Sequence, residues 1–391
     1  MVSRNGLKSK SVARTQTDPS YRSYLSLFAR AILFIFTTVL SFISILTIFG
    51  AVDNFGRSKL VMQIAMTLVG SVALFILANI DYRFFVDRFA IVMFLASAFL
   101  LALTLLFGST GANMETANRS WINIPIVNIA IQPSEFVKIA FMCTFAKHLE
   151  LVKDRINHPK SLLGLALHAG VIVGLILLSG DLGVALVYFG IIAFMLFCSG
   201  LSGWYFLGAA GAVVIAFPFL WELLREDQRN RVIFGFQPEL DPNGVGKQAL
   251  MSRDAIANGG FFGKGLSSGG IYENLPASHT DFIFSTVCEM FGFIGGMIVV
   301  LCLLVLAIRL IWIAYRSRDV VGKLICSGIA AVIILQTLEN LWMCLALVPV
   351  VGITLPFVSA GGSSMLALYC LMGLGHSVYA HEKRFFFRRE R

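Results

Sequence analysis

FSTVCEMFGFIGGMIVVLCLLVLAIRLIWIAY, Phe284 to Tyr315, is an apolar run longer than the roughly 20 residues a helix needs to cross a bilayer. It is preceded by a polar stretch, ASHTD (Ala277–Asp281), so a carboxylate stands where loop becomes membrane. A second acid, Glu289, lies inside the run, where an ionisable group is costly unless it faces a partner or a cavity. Working outward from it, similar runs recur along the chain. They cover Ala31–Ala51, Lys59–Ile80, Arg88–Gly108, Pro133–Leu149, Leu162–Ser179, Asp181–Ser199, Trp204–Trp221, Leu324–Val348 and Ser363–Tyr379. The fold expected is therefore an all-α integral membrane protein of about ten transmembrane helices.

Composition agrees. Of 391 residues, 57% are hydrophobic and 14% charged, and the mean hydropathy is +0.81, outside the range of soluble domains. The formal charge of +9 does not point to nucleic acid. With a cytoplasmic N-terminus, basic residues collect on the inner side (Arg4, Lys8, Lys10, Arg14, Arg22; Arg83, Arg88; Lys153, Arg155, Lys160; Arg316, Arg318, Lys323; Lys383 to Arg391), as the positive-inside rule requires. Both termini are then cytoplasmic. The seven cysteines lie in or beside apolar runs, with no metal-knuckle spacing and no disulfide framework. The sequence divides into a basic tail (1–28), a membrane domain (29–382) and a second basic tail (383–391). One long loop, 222–283, interrupts the membrane domain between helices seven and eight. Its aromatic residues and glycines suggest an ordered extracytoplasmic lid with short helices rather than a linker. No P-loop, dinucleotide fingerprint, HExxH or GxSxG occurs.

Residues with chemical potential are few. Asp281, beside His279 and Thr280, can either cap the following helix or, in a partly dry site, accept a proton from a hydroxyl. Glu289 falls on roughly the same face and suits a supporting role. In QPSEFVKIAF, Glu135 and Lys138 are three apart and share a helix face; they can neutralise each other or hold a phosphate or sugar. Asp181, in SGDLGVAL, can cap its helix. GGFFGKGLSSGG (Gly259–Gly270) offers Lys264 and backbone amides for an anion. GITLPFVSAGGSS (Gly352–Ser364) breaks a membrane segment, which is tolerated only against protein or a cavity.

Taken in order, QPSEFVKIAF after RSW, SGDLGVAL, GGFFGKGLSSG with LPASHTDFIFSTVCEMFGFIGG, and LPFVSAGGSS resemble the SEDS proteins (shape, elongation, division and sporulation), the FtsW- and RodA-type family. The likeness runs from the first helix to the tenth. It departs at Ser179–Gly180, where the family has Gln–Pro, at Ala360 for a tyrosine, at Trp342 for a glycine, and at Ala117–Asn118, where a glycine is missing. The resemblance implies a bacterial cytoplasmic-membrane enzyme that polymerises peptidoglycan strands from lipid II, working with a class B penicillin-binding transpeptidase. It implies that Asp281 is the essential aspartate and general base, and it matches Glu135, Lys138, Asp181 and Lys264 to the family's other charged positions. Lys264, Arg231 or Lys138 would meet the charge of the leaving pyrophosphate; a divalent cation is an alternative source, and no cofactor is otherwise implied. His279, Thr280 and Glu289 complete the expected substrate-binding set. A flippase for the lipid-linked precursor and a non-catalytic scaffold for the transpeptidase are the competing readings.

Overall fold

A computed structural model describes residues 19–109, 119–124, 129–223, 226–266 and 269–389. Within them the chain forms α1 (Pro19–Gly50), α2 (Val52–Phe55), α3 (Arg57–Asn79), α4 (Tyr82–Phe107), β1 (Ile122–Ile124) and β2 (Ile129–Ile131). There follow α5 (Pro133–Val152), α6 (Pro159–Leu178), α7 (Leu182–Cys198), α8 (Gly203–Leu223), α9 (Glu226–Phe236), α10 (Lys247–Asn258), α11 (Ile283–Arg316), α12 (Val320–Cys344) and α13 (Gly362–Arg389). Among the described residues, six helices are long and apolar enough to cross a membrane: the Ala31–Gly50 part of α1, then α3, α4, α6, α11 and α12; α7 and most of α8 form shorter apolar helices. The chain is a helical, multi-pass membrane protein.

The expected spans all fall on helices, with shifted ends. The first begins earlier, at Pro19, inside the expected tail, and the last continues to Arg389. The ninth stops at Cys344, because residues 345–361 form turns and irregular chain up to α13. One element has no counterpart in the sequence reading: β1 and β2 pair antiparallel, with Ile122 opposite Ile131, just before α5. Ala117 and Asn118, where the family glycine is missing, lie outside the described residues.

The bundle is centred on α12, the most deeply buried of these six helices; it packs on α5, α7, α11 and α13. Lipid supplies no hydrogen bonds, so each helix satisfies its own backbone, and α11 shows what happens where one does not. At Gly292 the backbone takes φ 69, ψ −167, and the helix breaks, which a residue without Cβ permits. The groups released there are taken up by the 260–265 segment. Lys264 N and Gly265 N donate to the carbonyls of Glu289 and Met290 at 2.9 Å, and Phe293 N donates to Gly260 O at 2.9 Å. A side chain at Gly259 would run into the Cys288 carbonyl. The glycines of GGFFGKG are thus the means by which a loop enters a helix. Among the described residues of 222–283 lie the end of α8, α9, α10 and two short 3-10 turns, and α10 is fixed by Ser252, whose hydroxyl lies 2.5 Å from that of Ser285 and donates to Cys344 O at 2.8 Å.

Candidate active site

Asp281 sits in the turn before α11. The N-cap of α11 is Phe282, and no side chain caps it. The capping explanation for Asp281 therefore falls away. What holds the residue is a set of bonds to its backbone and its neighbours'. Asn340, on α12, donates from Nδ2 to Asp281 O at 2.6 Å and to Ile353 O at 2.7 Å. Ser359 donates to Thr280 O at 2.6 Å while accepting from Leu355 N at 2.7 Å. Ala360 N donates to His279 O at 2.9 Å. The irregular Gly352–Ser364 segment is thus one wall of the turn. Its Gly352, at φ 77, comes so close that an added Cβ would lie 3.4 Å from Asp281 Oδ2. The half-buried Asp281 carboxyl is pushed up to about 6, first by burial and further by the charge of Asp181, against a lowering hydrogen bond from Thr280. It is mostly ionised at neutral pH and close enough to it to take a proton.

Asp181 caps α7, accepting from Val184 N at 3.1 Å, and also accepts from Gln132 Nε2 at 3.0 Å. The capping role read from SGDLGVAL is present, and the second bond ties that cap to the start of α5. Gly183, just inside α7, packs against Val351 O and Ile353, which brings the start of α7 onto the same 351–353 segment that Asp281 approaches at Gly352. On α5, Lys138 Nζ lies 3.0 Å from Glu135 Oε1, and both side chains are almost wholly buried, at 1% and 5% exposure. Gln132 N, just ahead of that helix, donates to Ser363 Oγ at 3.1 Å and joins α5 to α13. Asp281 feels the charge of Asp181, and Asp181 that of Glu135, which Lys138 pairs, so the four residues form one electrostatic chain from the start of α11 to α5.

The loop residues behave differently. Glu289 is 1% exposed, and its carboxylate accepts from Asn258 Nδ2 at 2.6 Å, Ile271 N at 2.8 Å and Tyr272 N at 2.9 Å. Both oxygens are engaged by the loop. Glu289 is thus a latch between α11 and the 258–272 chain, the supporting role read from its place in the run. Lys264 is exposed and lines, with Gly265, Gly269, Gly270, Tyr272, Glu289 and Met290, a small cavity of about 30 Å³, too small for more than a water or two. Arg231 lies on α9, and its side chain is outside the described ones. Among the described residues no three His, Cys, Asp or Glu side chains converge to hold a metal ion.

The family model for FtsW, RodA and SpoVE, a cell cycle protein family, matches residues 24–384. The chain belongs to this family. It is similar to the probable peptidoglycan glycosyltransferase FtsW of Trichlorobacter lovleyi, at 34% identity over 83% of this chain and 84% of that protein. It is equally similar, at 34%, to the peptidoglycan glycosyltransferase MrdB of Escherichia coli (strain K12), over 82% of this chain and 85% of that one. Its fold matches a chain from the structure of a peptidoglycan synthase complex coordinating polymerization and crosslinking, with TM-score 0.77 and 28% identity over 90% of this chain and 97% of that chain.

In this FtsW/RodA/SpoVE-family chain His279 is not a cation at neutral pH. Burial, helped by the charge of Lys59, pushes its imidazole down to about 4, and its ring packs 5.3 Å from that of Phe55. His279 and Thr280 contribute mainly through their carbonyls, which Ala360 and Ser359 hold. Sequence reasoning misses Asn340, Ser359 and Gln132, the three residues whose polar groups position the two aspartates. Their signal is present: each is an amide or hydroxyl in or beside an apolar run, where an unpaired polar group is expensive.

The latch gives a direct expectation. Glu289→Ala leaves the Ile271 and Tyr272 amides and Asn258 without their carboxylate, a loss of about 4–5 kcal/mol or more for three bonds at roughly 1.5–3 each. Hydrogen exchange over residues 258–275 should accelerate while that of α12 is unchanged.

Proposed function

We propose that this protein polymerises glycan strands from lipid II at the outer face of the bacterial cytoplasmic membrane, with Asp281 as general base. The observation that carries the reading is the placement of Asp281: a carboxyl that caps nothing, held by its backbone from α12 and the 353–360 segment, facing Gly352 and repelled by Asp181. A rigid acid of that kind suits a reaction in which one sugar hydroxyl must lose a proton. The C4 hydroxyl of one lipid-linked disaccharide attacks the anomeric carbon of another. The O–H proton passes to the Asp281 carboxylate, the new glycosidic C–O bond forms, and the bond to undecaprenyl pyrophosphate breaks with its electrons on the leaving oxygen. Attack opposite an α-linked pyrophosphate inverts the centre and yields the β1,4 link.

Asp181 serves this site by holding the start of α7 and by raising the proton affinity of Asp281. Lys264 and Arg231, on the loop, are the cations assigned to the leaving pyrophosphate. The two relatives named above are an FtsW and an MrdB at the same 34% identity, so similarity does not choose between division and elongation. The helices that fall on the ten expected runs are read as ten crossings, with both termini cytoplasmic and residues 222–283 outside. The partner is taken to be a class B penicillin-binding transpeptidase.

The test is polymerisation of labelled lipid II by purified protein in detergent, with and without the transpeptidase, followed as a ladder of strands on a gel. A flippase has no two sides to work between in detergent and gives no ladder, and a scaffold gives none without another polymerase.

A further inference from the structure

Three buried oxygens on the packed helices α5 and α12 have no hydrogen-bond partner among the described residues: Ser134 Oγ on α5, and Gln336 Oε1 and Glu339 Oε2 on α12. Buried polar atoms are nearly always paired, and exceptions ask for a cause. These three are not scattered. Ser134 and Lys138 are one turn apart on α5, and Gln336 and Glu339 are three apart on α12, so each pair shares a helix face. The helices pack together, and Lys138 is within electrostatic reach of Glu339. α7 closes the group, with Tyr188 Oη donating to Ser134 O at 2.8 Å and Gly190 packed on Leu335. Glu339 as a whole is only half-buried, so the seam is open on one side.

The chemistry of the seam is lopsided. Lys138 already donates to Glu135 at 3.0 Å. Two carboxyl groups, Glu135 and Glu339, share that one ammonium; the orphan Gln336 amide oxygen can only accept, and the Glu339 carboxyl keeps accepting capacity in either protonation state. Such a place favours neutral hydrogen-bond donors over phosphate, because its one ammonium is already paired with Glu135.

We infer that the α5–α7–α12 seam is a subsite for the hydroxyl and amide N–H donors of the substrate's sugar–peptide part, with Glu339 as its principal acceptor. The inference rests on lipid II being the substrate. It also alters the part given to Lys138, which neutralises the seam instead of holding pyrophosphate. Glu339 is then a binding residue retained at a cost to folding, because an unpaired buried acceptor destabilises the protein without substrate.

The experiment compares wild type, Glu339→Leu and Glu339→Gln for binding of fluorescent lipid II and of undecaprenyl pyrophosphate, which has no sugar or peptide, together with thermal unfolding. Glu339→Leu should weaken lipid II binding about tenfold or more, leave undecaprenyl pyrophosphate binding unchanged, and melt at the same or a higher temperature. Glu339→Gln, which keeps an acceptor oxygen, should fall between. Unchanged lipid II binding in Glu339→Leu overturns the subsite. So does equal weakening for both ligands, a lowered melting temperature in both variants, or a loss reproduced in wild type by chelating divalent cations. Wild-type protein that binds neither ligand removes the proposed substrate itself, an outcome distinct from failure of the subsite alone.

Discussion

Asp281→Asn should lower lipid II polymerisation by about 10²–10⁴-fold, the usual worth of a positioned general base, while leaving lipid II binding in place. The substitution keeps the size of the side chain and removes only its capacity to accept a proton. Its stability signature has a definite sign. The folded-state carboxyl is raised from 3.8 to about 6, so the folded protein binds more protons than the unfolded chain in that window. Stability contributed by this group is therefore lost as pH rises from 3.8 through 6, and stays lost above it. At pH 8 the Asn variant, which carries no buried charge, should melt higher than wild type. Lower activity with higher stability is what a site held at a cost to folding produces, and differential scanning fluorimetry beside a gel assay measures both.

The second large effect is in the membrane interior. Lys138→Met leaves Glu135, 4% exposed, without its partner, and should cost about 3–5 kcal/mol of stability. The double variant Lys138→Met/Glu135→Leu removes the charge as well as its partner and should recover most of that loss. If the two single changes and the double were equally destabilising, the pair would be contributing shape rather than charge balance. Thermal unfolding of the four proteins in one detergent decides this.

The membrane helices are legible because a span is a compositional fact: some 20 apolar residues in a row mean the same thing in any context. Their ends are less legible, since the start of α1 at Pro19 and the stop of α12 at Cys344 depend on turns and neighbours. The acids show the limit more sharply. Asp181 and Asp281 both precede a helix and look alike in sequence, yet one accepts from Val184 N and the other caps nothing. The difference lies in which way a short side chain turns, and contacts remote in sequence, such as Asn340 with Asp281, decide it. For Glu289 the sequence suggests a supporting role but not its partners: those at 258, 271 and 272 reach it where the glycines of the loop enter the break at Gly292. Glu339 stands unremarked in LENLW, since nothing in that stretch says that it faces Lys138 across two helices.

The most direct test of a carboxylate base at Asp281 is the pH dependence of kcat/KM for polymerisation. With the carboxyl at about 6, activity should be level near pH 8 and fall tenfold per unit below 6. In Asp181→Asn, which keeps the helix cap but removes the repelling charge, the same limb should move to lower pH. A rate that stays level from pH 8 to pH 5 in the wild-type protein would contradict proton transfer to Asp281.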